Sequence, residues 1–267
     1  FFLFCIQGYT VGKKPYSHRI YDIARNILEG NGFSGGMCYS FESPKVFDKL
    51  LLPADSVYRK AITIANPLGE DFSIMRTVSL NGMLTSLATN FNRKNKVARL
   101  YEFGNVYLPK QLPLTELPEE RMKLTIGMYG EGDFFNLKGV IEELFDNLGM
   151  KNICTYVPTT EHPFLHPGRQ ANVIYDGTVI GYLGEVHPDV ADNYSLGERT
   201  YIAVLDLSKI TPMASFDRKY TGIAKYPAVT RDISMVVPKK ILVGQIEEVI
   251  EKNGGANLES YKLFYLY

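Results

Sequence analysis

The chain has 267 residues, with 29 Lys and Arg against 29 Asp and Glu, so its formal net charge is zero. That balance excludes binding of nucleic acid or acidic lipid by bulk charge and leaves only local basic patches for such a role. A 45% hydrophobic and 22% charged composition is that of a folded chain with a substantial core, and the length suits about two domains. Cys5, Cys38 and Cys154 are far apart and form no CxxC pair. This argues against a disulfide scaffold or a Cys-rich zinc site and for a reducing compartment. The apolar opening Phe1-Phe2-Leu3-Phe4-Cys5-Ile6 is far shorter than the roughly 20 residues that cross a bilayer, and it lacks a basic n-region. With no initiator Met, and a strand-like run at 261–267, the sequence reads as a piece of a longer chain.

Taken in order, the first periodic segment is a helix capped by Ser17, with Ile20, Ile23, Ala24, Ile27 and Leu28 on one face and Gly30 and Gly32 to stop it. A short strand at 37–41 follows, then a helix with Ser43 at N-cap and Pro44 at N1. Residues 61–64 read as a strand ended by Asn66-Pro67. The next helix places Leu80, Met83, Leu84, Leu87 and Phe91 on one face and leaves through Asn92-Arg93-Lys94-Asn95-Lys96. Residues 97–108 have strand character.

In the second half, 122–129 alternates as a strand, and 134–148 is an amphipathic helix ended by Gly149. Strands are expected at 153–157, 171–175, 178–186 and 201–207, with Asp176-Gly177 joining two of them as a tight hairpin. Adjacent strands joined by hairpins and flanked by helices imply an α+β fold with a largely antiparallel sheet. The turn-rich stretch 212–222 marks a domain boundary. Beyond it, strand 231–237, helix 243–252 and strand 258–266 suit the first half of a split βαβ, ferredoxin-like domain.

Catalytic constellations are sparse. Gly127-Met128-Tyr129-Gly130-Glu131-Gly132 lacks the spacing that cradles phosphates. His162 and His166 are four apart, but Pro163 and Pro167 break any helix that would align them, so a zinc site completed by His187 and Glu161 or Glu185 is weaker than a turn role. Glu142-Glu143 reads as the solvated face of its helix rather than a metal pair. Two segments stand out: Asn66-Pro67-Leu68-Gly69-Glu70 leading to Met75-Arg76-Thr77 and Leu100-Tyr101-Glu102-Phe103-Gly104, and His166-Pro167-Gly168-Arg169 with Gly181-Tyr182-Leu183-Gly184-Glu185-Val186-His187-Pro188. Glu102 and Glu185 are read as strand residues paired with a nearby Arg, the alternative being pocket carboxylates. A stand-alone small-molecule-binding or metal-dependent enzyme would use Arg76, His166, Glu185 and His187, and a closed cavity lined by them would identify it.

Those two segments, with Tyr226-Pro227-Ala228-Val229-Thr230-Arg231-Asp232-Ile233, resemble the beta subunits of bacterial phenylalanine–tRNA ligases, in the same order and over nearly the whole chain. The resemblance implies a class II aminoacyl-tRNA synthetase-like antiparallel sheet with flanking helices over residues 16–212, after a poorly matched segment 1–15. A linker at 213–222 and the incomplete start of a ferredoxin-like anticodon-binding domain at 223–267 would follow. It also implies a non-catalytic relative of the alpha subunit, which holds ATP and phenylalanine, in an assembly of two alpha and two beta chains acting on tRNA(Phe) in the cytoplasm. ATP and Mg²⁺ would then serve the complete enzyme, with no cofactor, metal or catalytic residue on this chain.

A working class II site needs one Arg on the α-phosphate and another on the γ-phosphate. Arg76 or Arg99 could pose as the first, but 201–208, where the second is due, contains no Arg. The resemblance marks Arg76, Glu102, Gly104, His166, Pro167, Gly168, Gly184, Glu185, His187 and Pro188 as structural signature positions, and Lys225, Arg231, Lys239 and Lys240 as candidates for tRNA contact. The amphipathic faces over 20–28 and 80–91 are the expected seats of a synthetase-like partner.

Overall fold

The apolar spacing from Ile20 onward forms helix α1 (Tyr16–Gly30), which buries Ile20, Ala24 and Leu28. The computed structural model describes residues 12–150, 154–217, 220, 222 and 225–265; the apolar opening, Ile153 and Leu266 lie outside these. Pro15, not Ser17, occupies the N-cap of α1, because the proline ring already fixes the φ of −55° at which the helix starts. Gly32, at φ +79°, turns the chain away after it.

Strand β1 (Ser34–Gly35) comes next. The strand expected at 37–41 shrinks to β2 (Phe41–Glu42). Its backbone is satisfied otherwise: Gly36 N–H donates to the Tyr101 carbonyl at 2.8 Å, and Cys38 N–H donates to Glu102 Oε1 at 3.1 Å. A loop pinned by a side chain replaces a ladder, and Met37 and Tyr39 project 96% and 71% exposed. Helix α2 (Val46–Lys49) starts later than Ser43-Pro44 suggested, because the Ser43 carbonyl accepts from Val46 N–H and closes a turn first. The strand expected at 61–64 is a single bridge from Thr63 to Ile74 of β3 (Ile74–Met75), itself antiparallel to β2.

The longer elements follow their periodicity: α3 (Leu80–Asn92), β4 (Ala98–Leu108), β5 (Glu119–Tyr129), α4 (Phe134–Asn147), β6 (Cys154–Pro158), β7 (Leu165–Tyr175) and β8 (Thr178–Val186). Asp176 and Gly177, at φ +46° and +71°, make the two-residue turn between β7 and β8. Helix α5 (Pro188–Asn193), strand β9 (Thr200–Asp206) and helix α6 (Leu207–Met213) complete the unit. Both short helices were hidden in readings of strand end and turn; His187 and Asp206 cap them, each accepting a backbone N–H two residues on.

The sheet runs β1-β4-β5-β9-β8-β7-β6, antiparallel at every pairing except β1 with β4, so the class is α+β with a mostly antiparallel sheet. β9 is buried at every residue. Tyr201, Ala203 and Leu205 enter a core shared with α1, α4 and α6, while Ile202 and Val204 enter a second core with α2, α3 and α5. Helices therefore cover both faces of the sheet. The apolar stripes of α1 and α3 are consumed here: Ile20, Leu28, Leu80, Leu84 and Leu87 have no exposed surface. The expectation that these faces seat a partner is overturned.

Residues 219–267 form a second compact unit. Its helix α7 (Val243–Gly254) matches the expected span. The strands expected at 231–237 and 258–266 do not form among the described residues. In a split βαβ the two strands flank a third that pairs with both, and no such third strand is present in 225–265 to give either a ladder.

One capping set is directly testable. Asp133 Oδ1 accepts from Phe135 N–H (2.8 Å) and Asn136 N–H (3.1 Å), while Asn136 Oδ1 accepts from Asp133 N–H (2.8 Å). Asp133→Ala is expected to lower stability by about 1 kcal/mol, read by urea titration with circular dichroism.

Candidate functional site

Arg76 follows β3, and its backbone joins two segments: its N–H donates to the Ser40 carbonyl and its carbonyl accepts from Tyr107 N–H, both at 2.9 Å. This aims the side chain under β4. There Nε donates to the Asn105 carbonyl at 2.7 Å and Nη1 to Glu102 Oε1 at 3.0 Å, with the two charged side chains only 3% and 2% exposed. Gly104 is what admits the guanidinium, since a Cβ at that position would lie 1.9 Å from Nη2. The same Glu102 oxygen takes the Cys38 N–H, so one carboxylate holds both the loop after β1 and the arginine.

A second carboxylate sits in this cluster. Glu42 of β2 is buried, accepts a side-chain hydrogen bond from Asn81 and lies within the field of Arg76. Burial pushes its carboxyl up to about 7 against those two opposing effects. Asn81 is fixed in turn by the Tyr194 hydroxyl, which donates to its Oδ1 at 2.8 Å. Glu42 and Glu102 each keep one buried oxygen without a hydrogen-bond partner. One cation thus pairs with Glu102 and faces a second buried acid, Glu42, that burial keeps protonated to about pH 7.

The second motif is a network of turns. Residues 166–169 occupy a register shift between Leu165 and Gln170 of β7. His166 Nδ1 accepts from Gly168 N–H at 3.1 Å, and His187 Nδ1 accepts from Asp189 N–H at 3.2 Å, with Pro188 opening α5. Gln170 Nε2 donates to the His162, Leu165 and His166 carbonyls at 3.3–3.4 Å. Arg169 Nη1 binds Glu185 Oε1 at 2.8 Å. Gly184 leaves room for the Arg169 carbonyl, which would lie 2.7 Å from an added Cβ. His162 stacks on Tyr182 with centroids 4.2 Å apart and bonds Asn172 Oδ1 at 2.8 Å, and burial lowers its pKa.

His162, His166 and His187 are thus each committed to their own turn or strand. Among the described residues no group of three His, Cys, Asp or Glu side chains is placed to hold a metal ion. Glu142 and Glu143 bind Lys138 and Asn31 respectively.

Two clefts, of about 380 and 300 Å³, open elsewhere on this unit, and neither is lined by Arg76, Glu102, His166, Glu185 or His187. These clefts lend the stand-alone enzyme reading no support. The Arg76 pocket does not fit ATP either: Nε is given to Asn105 and Nη1 to Glu102, both charged side chains are buried, and β9 is shut between two cores. Lys225, Arg231, Lys239 and Lys240 are all exposed in the second unit. Sequence reasoning missed Glu42, Asn81 and Tyr194, which no spacing connects.

The mostly antiparallel sheet is covered on both faces, and the Arg76–Glu102 and Arg169–Glu185 charges are paired within it. A family model described as phenylalanyl tRNA synthetase beta chain CLM domain matches residues 6–207, and one described as ferredoxin-fold anticodon binding domain matches residues 224–267. This places the chain among the synthetases. It belongs to the phenylalanyl-tRNA synthetase beta chain family. Among its relatives, the phenylalanine–tRNA ligase beta subunit of Clostridium acetobutylicum is 48% identical over 261 residues, covering 98% of this chain and 33% of the relative. Those of Clostridium tetani (44%, covering 95% and 32%) and Bacillus subtilis (34%, covering 97% and 33%) are similar over the same extent. The chain spans about a third of the length of the curated relatives it matches.

Two predictions come from the buried cluster. Arg76→Leu leaves the buried Glu102 carboxylate without its cation and is expected to cost about 3–5 kcal/mol in urea titration, where Lys110→Leu, at a pair with Glu116 exposed on both sides, costs under about 1 kcal/mol. Folded Glu42 keeps its proton to about pH 7, whereas the unfolded chain releases it near the ordinary glutamate value of 4.5. The folded state binds the extra proton in that window, so stability falls as pH rises through it, by on the order of 2 kcal/mol. Glu42→Gln is expected to abolish this component of the slope in melts from pH 4.5 to 7.

Proposed function

We infer that this chain is the non-catalytic, class II synthetase-like module of a phenylalanine–tRNA ligase beta subunit, followed by the start of its anticodon-binding domain. The proposed division is a module at 16–212, a linker at 213–222 and the incomplete anticodon-binding domain at 223–267. The observation that carries the reading is the state of Arg76. Arg76, one of the two arginines offered in sequence for an ATP phosphate, is 3% exposed and neutralised by Glu102, so its charge builds the fold instead of receiving a nucleotide. The relatives are named beta subunits of the ligase, which supports a role beside a catalytic alpha subunit.

In that role the chain assembles with the alpha subunit, two of each, and supports cytoplasmic aminoacylation of tRNA(Phe) with ATP, Mg²⁺ and L-phenylalanine bound elsewhere in the complete enzyme. The face offered to alpha is the loop after β1, where Met37 and Tyr39 are exposed and Tyr39 packs edge-on against Phe72 at 5.6 Å. Large apolar side chains left in water mark a contact surface. Lys225, Arg231, Lys239 and Lys240 serve tRNA phosphates, and their contribution fades with salt.

The test is assembly and chemistry measured together. The chain is expected to be retained by a tagged alpha subunit at micromolar concentration, and Met37→Ser with Tyr39→Ser to reduce that retention. Phenylalanine-dependent ATP–pyrophosphate exchange by the chain alone is expected at the level of a buffer control. Exchange above that level, or no retention by alpha, overturns the reading.

A further inference from the structure

Arg93, Lys94, Lys96 and Arg99 put four cations within seven residues, with no acidic side chain among them, on a chain whose total charge is zero. The first three lie on the loop between α3 and β4, and all three are exposed. Among the described residues none of their side chains makes a hydrogen bond or an ion pair.

The loop itself is fixed. Asn95 N–H and Nδ2 donate to the Asn90 carbonyl and Oδ1 at 3.1 and 2.7 Å, the Tyr129 hydroxyl donates to the Asn95 carbonyl at 2.9 Å, and Lys94 N–H donates to the Phe91 carbonyl at 2.9 Å. Lys94 takes φ +66° to make the turn. Three unpaired cations are therefore presented on a preformed scaffold, which lowers the ordering cost of a contact made through them.

The larger of the two clefts, of about 380 Å³, lies against this loop: Asn90 and Val97, which bracket the basic residues, line it together with Ser34 and Arg99. Arg99 gives Nη1 to the Asn31 carbonyl, and its Nε has no acceptor. No carboxylate pairs with it among the described residues. The cleft thus offers a guanidinium matched only by a backbone carbonyl, with the Ser34 hydroxyl beside it, next to a loop that carries three exposed cations. That chemistry suits a phosphodiester backbone better than a small apolar ligand, because an extended polyanion meets floor and rim at once.

We propose that the cleft at Arg99 and its rim at Arg93, Lys94 and Lys96 form a second RNA-phosphate contact, on the first unit and separate in sequence from the lysines of the second. The choice of RNA over other polyanions rests on the reading of the chain as part of a tRNA ligase. The contact is sequence-independent and positions the RNA rather than reading it.

The experiment is fluorescence anisotropy of a labelled short RNA hairpin titrated with the 267-residue chain across about 50 to 200 mM salt. Lys94→Gln with Lys96→Gln, both at exposed positions, is expected to keep the melting temperature. It is expected to weaken binding about tenfold at low salt and to reduce the slope of log affinity against log salt by about two. Lys239→Gln with Lys240→Gln is expected to act additively with it. Unchanged affinity and slope in the Lys94/Lys96 variant overturns the proposal, as does absence of RNA binding by the parent chain. Tighter binding of poly-glutamate than of RNA also overturns it, in favour of an acidic protein surface. Retention by the alpha subunit is read independently, so a chain that binds alpha but shows no rim effect on RNA removes this proposal and leaves the functional reading standing.

Discussion

The first unit is organised around one buried guanidinium. Arg76 touches Glu102 and Asn105 of β4, lies within the field of Glu42 of β2, and sits beneath a glycine that exists to admit it. Its backbone ties the loop before β2 to the same strand. A buried ion pair adds little net stability over a well-packed apolar substitute, yet removing one partner is severe because the other is left charged in a poor solvent. The value of Arg76 therefore lies in registration. It fixes where the β2–β3 pair, the loop at Cys38 and strand β4 meet, and the wrong meeting would strand the Glu102 carboxylate.

That constraint also governs chemistry. A phosphate-binding arginine must be reachable and must carry a charge not already matched; Arg76 is neither. The second motif behaves alike. His166 and His187 each give Nδ1 to a turn or a helix cap, Gln170 bridges a register shift, and Arg169 pairs with Glu185. These residues keep the β7–β8 hairpin in its register and hand β8 on to α5. Polar side chains embedded in a sheet this way serve the shape of a surface that something else can use.

The sequence disclosed the long elements because their signals are long. The stripe from Leu80 to Leu87, the alternation of β5 and the Asp176-Gly177 turn each repeat or punctuate over enough residues to exclude rivals. Short elements were lost for the opposite reason. A two-residue β1 has no period, α5 is capped by a histidine rather than an ordinary capping residue, and α6 contains Pro212, which reads as a breaker. Arg76 and Glu102 are both conspicuous in sequence, and a strand glutamate paired with some nearby arginine is legible there, whereas which arginine is fixed only by the fold. Glu42 was silent, since a glutamate after an aromatic gives no hint that three distant segments will close over it. The apolar faces of α1 and α3 carried the opposite error: a stripe shows that a face will be buried but not by what, and here the chain's own sheet covers them.

The second unit illustrates what a sheet requires beyond propensity. Val229, Ile233, Met235 and Val237 have the composition of a strand, yet they remain exposed and unladdered, as do Leu263 and Phe264 after α7. Strand formation is a pairwise event: the backbone groups of an extended segment gain nothing over water until a neighbour supplies the opposite row. In the first unit every long strand has such a neighbour within the sheet, so its alternation is converted into two cores. In the second unit the helix forms because its hydrogen bonds are local, whereas the strands wait on a partner of the split βαβ kind. The same sequence therefore carries a completed sheet and an uncompleted one, and the difference lies in pairing rather than in residue type.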